Sequence, residues 1–482
     1  MLLPTVLLLK PEKRRLWAVK TFAQHCGEAS IPTDSPNQGE GVCPVAMLPH
    51  LPSCIVDGVD SPRCLLPSHR RCSEIIDAFD VSFLLVGAPV LDAVGPWKGS
   101  SLMRCVLLAW FLVAAWATPS AADSYMDAVT AVHREDYDLA ARLFYPLAED
   151  GHAGAQSFLG VLYANGQGVP QRYEEAWRWY RRAAVQGDAA AQFHLAALYA
   201  NGQGVRQNYE MAAQWYRRAA EQGVAAAQFE LGLLYANGQG APQSYEEAVQ
   251  WYRRAADQGV AEAQVQLGVL YANGQGVPQS YDDAIRWYRQ AAEQGDARAQ
   301  SLLGLSYARG LGLPKDSVMA IQWYRRAADQ GDTLAQFQLG VSYANGQGVK
   351  QSYDEAIRWY RRAAEQGDAV AQFNLAVKYD NGQGVPQNYK EAARWYRRAA
   401  ERGHARAQTN LGVLYANGQG VREDLLRAYM WLTLAVAGSK GDDLKTALKN
   451  QTTVASDMTA VQIEEAQEMA RRCQDTQFLE CE

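Results

Sequence analysis

From Ala155 onward, apolar and polar positions follow a helical rhythm, and the rhythm restarts every 36 residues. In "AQSFLGVLY" the residues Ala155, Leu159 and Tyr163 stand at i, i+4 and i+8, one stripe of a helix. "YEEAWRWYRRAA", from Tyr173, places Ala176, Tyr180 and Ala183 at i, i+4 and i+7, with Glu174, Glu175, Arg178 and Arg182 between them. Between the two stripes lies "YANGQG", which begins at Tyr163, Tyr199, Tyr235, Tyr271, Tyr343 and Tyr415, with variants at Tyr307 and Tyr379. Glycine punctuates both helices. Asn165-Gly166 ends the first, because glycine accepts the left-handed backbone of a helix terminus. Gly168 allows a second bend, and Pro170 discourages helix until the next one starts. A second stop recurs at Gly151, Gly187, Gly223, Gly259, Gly295, Gly331, Gly367 and Gly403. Asp188, Asp296, Asp332 and Asp368 follow it as N-caps. Two stops per period predict a helical hairpin, repeated, and a fixed period of this size predicts an all-α solenoid of stacked units.

The pair Leu159-Gly160 recurs at Leu231-Gly232, Leu267-Gly268, Leu303-Gly304, Leu339-Gly340 and Leu411-Gly412, with Ala196 and Ala376 as the two small replacements. A small residue there lowers helix propensity and lets a neighbouring helix approach closely. "LGxxY" followed by "AxxxYxxA" resembles the tetratricopeptide pattern. The 36-residue period, the "NGQGV" loop and the "WYRRAAEQG" ending are similar to the Sel-one-like repeat (SLR) family. That resemblance implies a right-handed superhelix of helix pairs, with eight repeats over residues 153–438. A degenerate half-repeat over 123–152 would cap one end, and helices over 439–482 the other. Thr459 and Gln462 make a capping-box start for the last helix. Ser317, Leu425 and Leu432 replace recurrent tyrosines, so looser packing is expected at those points of the fifth and eighth units.

Composition divides the chain. Residues 1–102 hold 11 of the 18 prolines and 5 of the 8 cysteines and carry no repeat. "MRCVLLAWFLVAAWATPSAADS" follows, with Arg104 as a positive start, an uncharged run from Cys105 to Ala117 and small residues before Asp123. That is the layout of a signal peptide over 103–122, too short for a membrane span. Translation starting at Met103 would make 1–102 an artefactual extension; the alternative is a genuine N-terminal region before an uncleaved anchor. Either start implies export, to the periplasm or beyond. From Asp123 to Glu482 there are 36 Lys+Arg against 42 Asp+Glu, a net charge of -6 that gives no reason to expect nucleic-acid binding.

Candidate chemistry is sparse. The tryptophans from Trp179 to Trp431 recur in every unit, which favours packing over sugar or proline-rich peptide binding. Phe193, Phe229, Phe337 and Phe373 are expected to join successive first helices rather than line a groove. The pairs from Arg181-Arg182 to Arg397-Arg398 have acidic neighbours and imply a solvated face rather than an anion track. The recurrent Gln156, Gln192 and Gln228 imply a structural role. His133, His152, His194 and His404 lack ligand spacing, so no metal or other cofactor is expected. No G-x-S-x-G nucleophile motif occurs, and "NGQG" follows a helix as a turn rather than opening one as a phosphate cradle. Some cysteine-rich relatives carry a disulfide per unit and act as β-lactamases; no cysteine lies between Asp123 and Arg472 here. Cys473 and Cys481 either join, stabilising the cap by about 2–3 kcal/mol, or remain free thiols.

Specificity is expected where units differ. The residue before the core Leu includes His194, Glu230, Gln266, Gln338, Asn374 and Asn410, and a turn earlier stand Glu262, Arg298 and Arg406. These nine residues are the candidate contacts for a protein or peptide partner. The resulting expectation is an exported, non-catalytic scaffold. The competing reading is an envelope enzyme or a peptidoglycan- or β-lactam-binding protein.

Overall fold

The computed structural model describes residues 121–478 and residue 481. The expected extension (1–102) and all but the last two residues of the expected signal peptide lie outside them. Among the described residues there are twenty helices and no strand. Helices α1 (Ala121–His133) and α2 (Tyr137–Glu149) form the first hairpin. Four repeats follow: α3 (Ala153–Asn165) with α4 (Tyr173–Val185), α5 (Ala189–Asn201) with α6 (Tyr209–Glu221), α7 (Ala225–Asn237) with α8 (Tyr245–Asp257), and α9 (Ala261–Asn273) with α10 (Tyr281–Glu293). The next four are α11 (Ala297–Arg309) with α12 (Ser317–Asp329), α13 (Thr333–Asn345) with α14 (Tyr353–Glu365), α15 (Ala369–Asn381) with α16 (Tyr389–Ala400), and α17 (Ala405–Asn417) with α18 (Leu425–Gly438). Two closing helices, α19 (Gly441–Ala455) and α20 (Ala460–Asp475), pack on α18. Each helix contacts mainly its neighbours in sequence, the organisation of a solenoid.

Within a unit, the recurrent glycine of the first helix meets the tyrosine of the second. A Cβ added to Gly160 would lie 2.4 Å from the Tyr180 ring, and one on Gly232 would lie 2.6 Å from Tyr252. Gly166 ends α3 in the left-handed region at φ 70°. Gly168, at φ 67°, does more than bend the chain. A Cβ there would lie 2.2 Å from the Tyr137 carbonyl oxygen, so only glycine lets the loop rest on the helix start of the unit before it. Tyr173 receives Gly204 in the same way. Asp188, Asp296, Asp332 and Asp368 each cap the next helix. Second helices are capped too, by residues such as Asn208 and Ser244.

Three expectations change. The segment before the repeats is a full hairpin rather than half a unit: α2 receives Gly168 as other second helices receive their neighbours, and α1 packs against it. Leu432 does not loosen the eighth unit. It is 0% exposed, and a Cβ on Gly412 would meet it at 2.8 Å. In the fifth unit Ser317 still receives Gly348 through its backbone, and Asp316 caps α12 through two backbone N–H groups. The phenylalanines face the tyrosine of their own hairpin, with ring centroids 5.7 Å apart for Phe193 and Tyr216 and 5.8 Å for Phe229 and Tyr252, and Phe373 also meets His404 and Arg406 at the start of the following first helix, as expected. Cys473 and Cys481 are joined in a disulfide, closing a short loop after α20, whose capping box is formed as expected. No helix of the described residues is long and apolar enough to cross a membrane.

Candidate functional site

Two shared networks fix the frame on which any site must stand. The first is a series of buried glutamines. Gln156 donates through Nε2 to the Ala148 carbonyl at 2.8 Å, and its Oε1 accepts from Gln186 of its own repeat's second-helix end, also at 2.8 Å. The same pair of bonds recurs through Gln336, which accepts from Gln366. The second network lies on the second helices. Arg325 donates to the Tyr343 hydroxyl of the following repeat at 2.5 Å, and Arg361 to that of Tyr379 at 2.6 Å. Its neighbour in each pair stacks on a tryptophan, as Arg218 does over Trp215 at 4.4 Å. The arginines are exposed, as the sequence implied, except Arg397 and Arg398, which are half-buried, yet each guanidinium is held in place. The tryptophans are buried or half-buried, which agrees with packing.

The unit-specific residues lie on the first helices. His194, Glu230, Gln266, Gln338, Asn374, Asn410 and Glu262 are all half-buried, while Arg298 and Arg406 are exposed. His194 stacks on Tyr180 at 5.1 Å, and burial pushes its pKa down to about 4, so it is neutral at pH 7. Glu230 and Arg298 both act on the Tyr252 hydroxyl: burial first, then Glu230, raise its pKa, while Arg298 opposes them. Asn374 donates to the Val370 carbonyl one turn back, at 3.0 Å. Asn410 donates to the Tyr396 hydroxyl at 2.9 Å, which itself donates to Asp380 at 3.0 Å. Arg406 stacks over Phe373 at 5.2 Å and pairs with Asp443 of α19 at 3.6 Å. The nine residues therefore form a strip along the first helices rather than one cluster. Asn410 and Arg406 also have structural partners. No group of three or more His, Cys, Asp or Glu able to hold a metal ion occurs among the described residues.

The Sel1 repeat matches eight times, over residues 153–188, 189–224, 225–260, 261–296, 297–332, 333–368, 369–404 and 405–439, more than half of the chain. The chain belongs to the Sel1 repeat family. A Sel1 repeat protein from Oxalobacter formigenes is 33% identical, with a TM-score of 0.53, over 64% of this chain and 89% of its own. A protective antigen with an SLR fold, present in uropathogenic Escherichia coli strains, is 28% identical, with a TM-score of 0.38, over 79% of this chain and 96% of its own. No curated protein matches.

Sel1 repeats are scaffolds typical of protein–protein contact, and in this one the informative exchanges are small breaks in the period. Asp380 takes the place of the alanine after the tyrosine in "YANGQG", and the bond from Tyr396 is its consequence. Arg402 takes the place of the glutamine at Gln186 and its later copies, which leaves Gln372 Oε1 buried without a hydrogen-bond partner. Leu334 and Val370, exposed on the first helices, also replace the small residues of earlier units. Each was available in the sequence as a departure from the repeat.

Proposed function

We propose that this Sel1 repeat chain is an exported, non-catalytic scaffold that binds other proteins through the strip of unit-specific side chains on its first helices. The observation that carries this reading is the contrast between the two sides of each unit. In six of the eight units the second helix repeats the same stack of arginine on tryptophan. First helices hold the same buried alanine, glutamine and leucine but change the residues beside them, from His194 to Glu230 to Gln266. A frame kept constant with one variable strip is suited to many weak contacts made at once. Export, to the periplasm or the outside, is supported by the segment 103–122 alone.

The test uses the full chain expressed in bacteria with a C-terminal tag. Amino-terminal sequencing of the exported product is expected to begin at Asp123. Proteins captured from the envelope are expected to be lost in the double variant Glu230→Lys/Arg298→Glu and retained in Arg178→Glu, a second-helix change. Equal capture by both variants would remove the first-helix strip from the reading.

A further inference from the structure

One row of the first-helix face stands apart. The second residue of each first helix is small or acidic in units one to four, and then reads Arg298, Leu334, Val370 and Arg406 in units five to eight. Leu334 and Val370 are 38% and 43% exposed, and no packing requirement of the repeat explains them, since units one to three place glycine or alanine there. Arg298 is exposed. Arg406 pairs with Asp443 at 3.6 Å, but both side chains are more than half exposed, so the pair is weak and can be exchanged. The nearby aspartates are turned to the helix starts, whose dipoles offset part of their charge. Asp296, Asp332 and Asp368 are half-buried and accept the helix N–H groups of Ala299, Ala335 and Ala371 at 2.7, 2.8 and 2.6 Å.

We infer that this row is the docking site for an extended segment of a partner protein in which two apolar side chains lie between carboxylates. The inference rests on the protein-binding reading above and names the partner's chemistry. Three steps between successive first helices, each about the 8–10 Å of helix packing, span about 25–30 Å. At about 3.3 Å per residue an extended chain covers that distance with about eight or nine residues. Carboxylates at its ends meet Arg298 and Arg406, and its apolar centre covers Leu334 and Val370. Gln338 and Asn374, one turn further along, offer amides to the segment's backbone. An acidic rim with an apolar middle is the complement of what the row presents.

Selection of a random dodecapeptide display library on the full chain tests this, followed by fluorescence anisotropy with labelled synthetic peptides. Enriched peptides are expected to carry Asp or Glu on both sides of a Leu, Val or aromatic pair. A synthetic peptide with glutamate ends and a Leu-Val centre is expected to bind, and versions with lysine ends or a serine centre are not. Arg298→Glu is expected to weaken binding about tenfold, with a loss on raising salt. Leu334→Ser/Val370→Ser is expected to weaken it by about the same factor, and Arg178→Glu to leave it unchanged, with circular dichroism alike for all three. Enriched peptides without carboxylates, affinity unchanged in Arg298→Glu, or no enrichment at all would each overturn the inference. Peptides of another pattern whose binding is lost in Glu230→Lys would overturn it while leaving the proposed function standing.

Discussion

Gln372 is the seventh copy of a buried side chain that in six earlier units accepts a bond from a glutamine 30 residues on. Its own partner position is Arg402, whose guanidinium is exposed, and the Oε1 atom is left buried and unbonded. A buried acceptor without a donor costs about 1–3 kcal/mol, whereas a formed bond contributes about 1 kcal/mol net. Arg402→Gln is therefore expected to stabilise the chain by about 1–2 kcal/mol, read as a higher urea midpoint of the C-terminal units. Gln330→Ala, which strips the same bond from Gln300, is expected to move the midpoint the other way. An unchanged midpoint for Arg402→Gln would mean that Gln372 is not a weak point. The buried role of these glutamines was legible from their recurrence among alanines and leucines. Their partners were not, because a periodic sequence repeats many polar residues and does not say which two meet. The one exchange at Arg402 was visible as a letter, and its meaning appeared only with the bond it removes.

At the level of the helical hairpin, two glycines that look alike in sequence do different things. Gly240 sits at φ 71°, and a Cβ on it would lie 2.1 Å from the Tyr209 carbonyl oxygen of the preceding unit. Gly259 sits at φ 89° with nothing within 4 Å of its added Cβ. A non-glycine residue in the left-handed region costs about 1–2 kcal/mol. Gly259→Ala is expected to cost about that much and no more. Gly240→Ala adds displacement of packed backbone, itself about 1–3 kcal/mol, so a total of about 3 kcal/mol or more is expected. Thermal unfolding of the two variants separates the cases, and equal losses would show that the loop is not pressed against its neighbour. Helix positions, stops and aspartate caps were all legible, because each depends on residues within one turn. The reason for Gly240 was not, since it depends on atoms in the unit before. For the same reason the expected cap over 123–152 was not seen as a hairpin: the sequence of α1 lacks the repeat pattern, and its packing against α2 and the Tyr125–His152 ring contact at 4.5 Å mark it as part of one.

A molecule built of neighbour contacts loses stability where a neighbour contact is poorest. Several features place that point at the end of the seventh repeat. Gln372 Oε1 lacks a partner there, α16 is one residue shorter than the second helices before it, and Arg402 replaces the bridging glutamine. What lies beyond is tied to itself, although Arg406 also stacks on Phe373 of α15: Arg406 of α17 pairs with Asp443 of α19, and the Cys473–Cys481 disulfide anchors the end of α20. Helices α17 to α20 are therefore expected to open as one unit before the other repeats do. The disulfide stabilises that unit by about 2–3 kcal/mol, so Cys473→Ala/Cys481→Ala should raise amide hydrogen exchange in α17–α20 by about 30-fold or more, while α3–α12 keep their protection. Adding Arg402→Gln to that variant should restore part of the protection, because closing the junction opposes the same opening. Uniform loss of protection along all eight repeats would instead show a chain that opens as a whole, with no weak joint at Arg402.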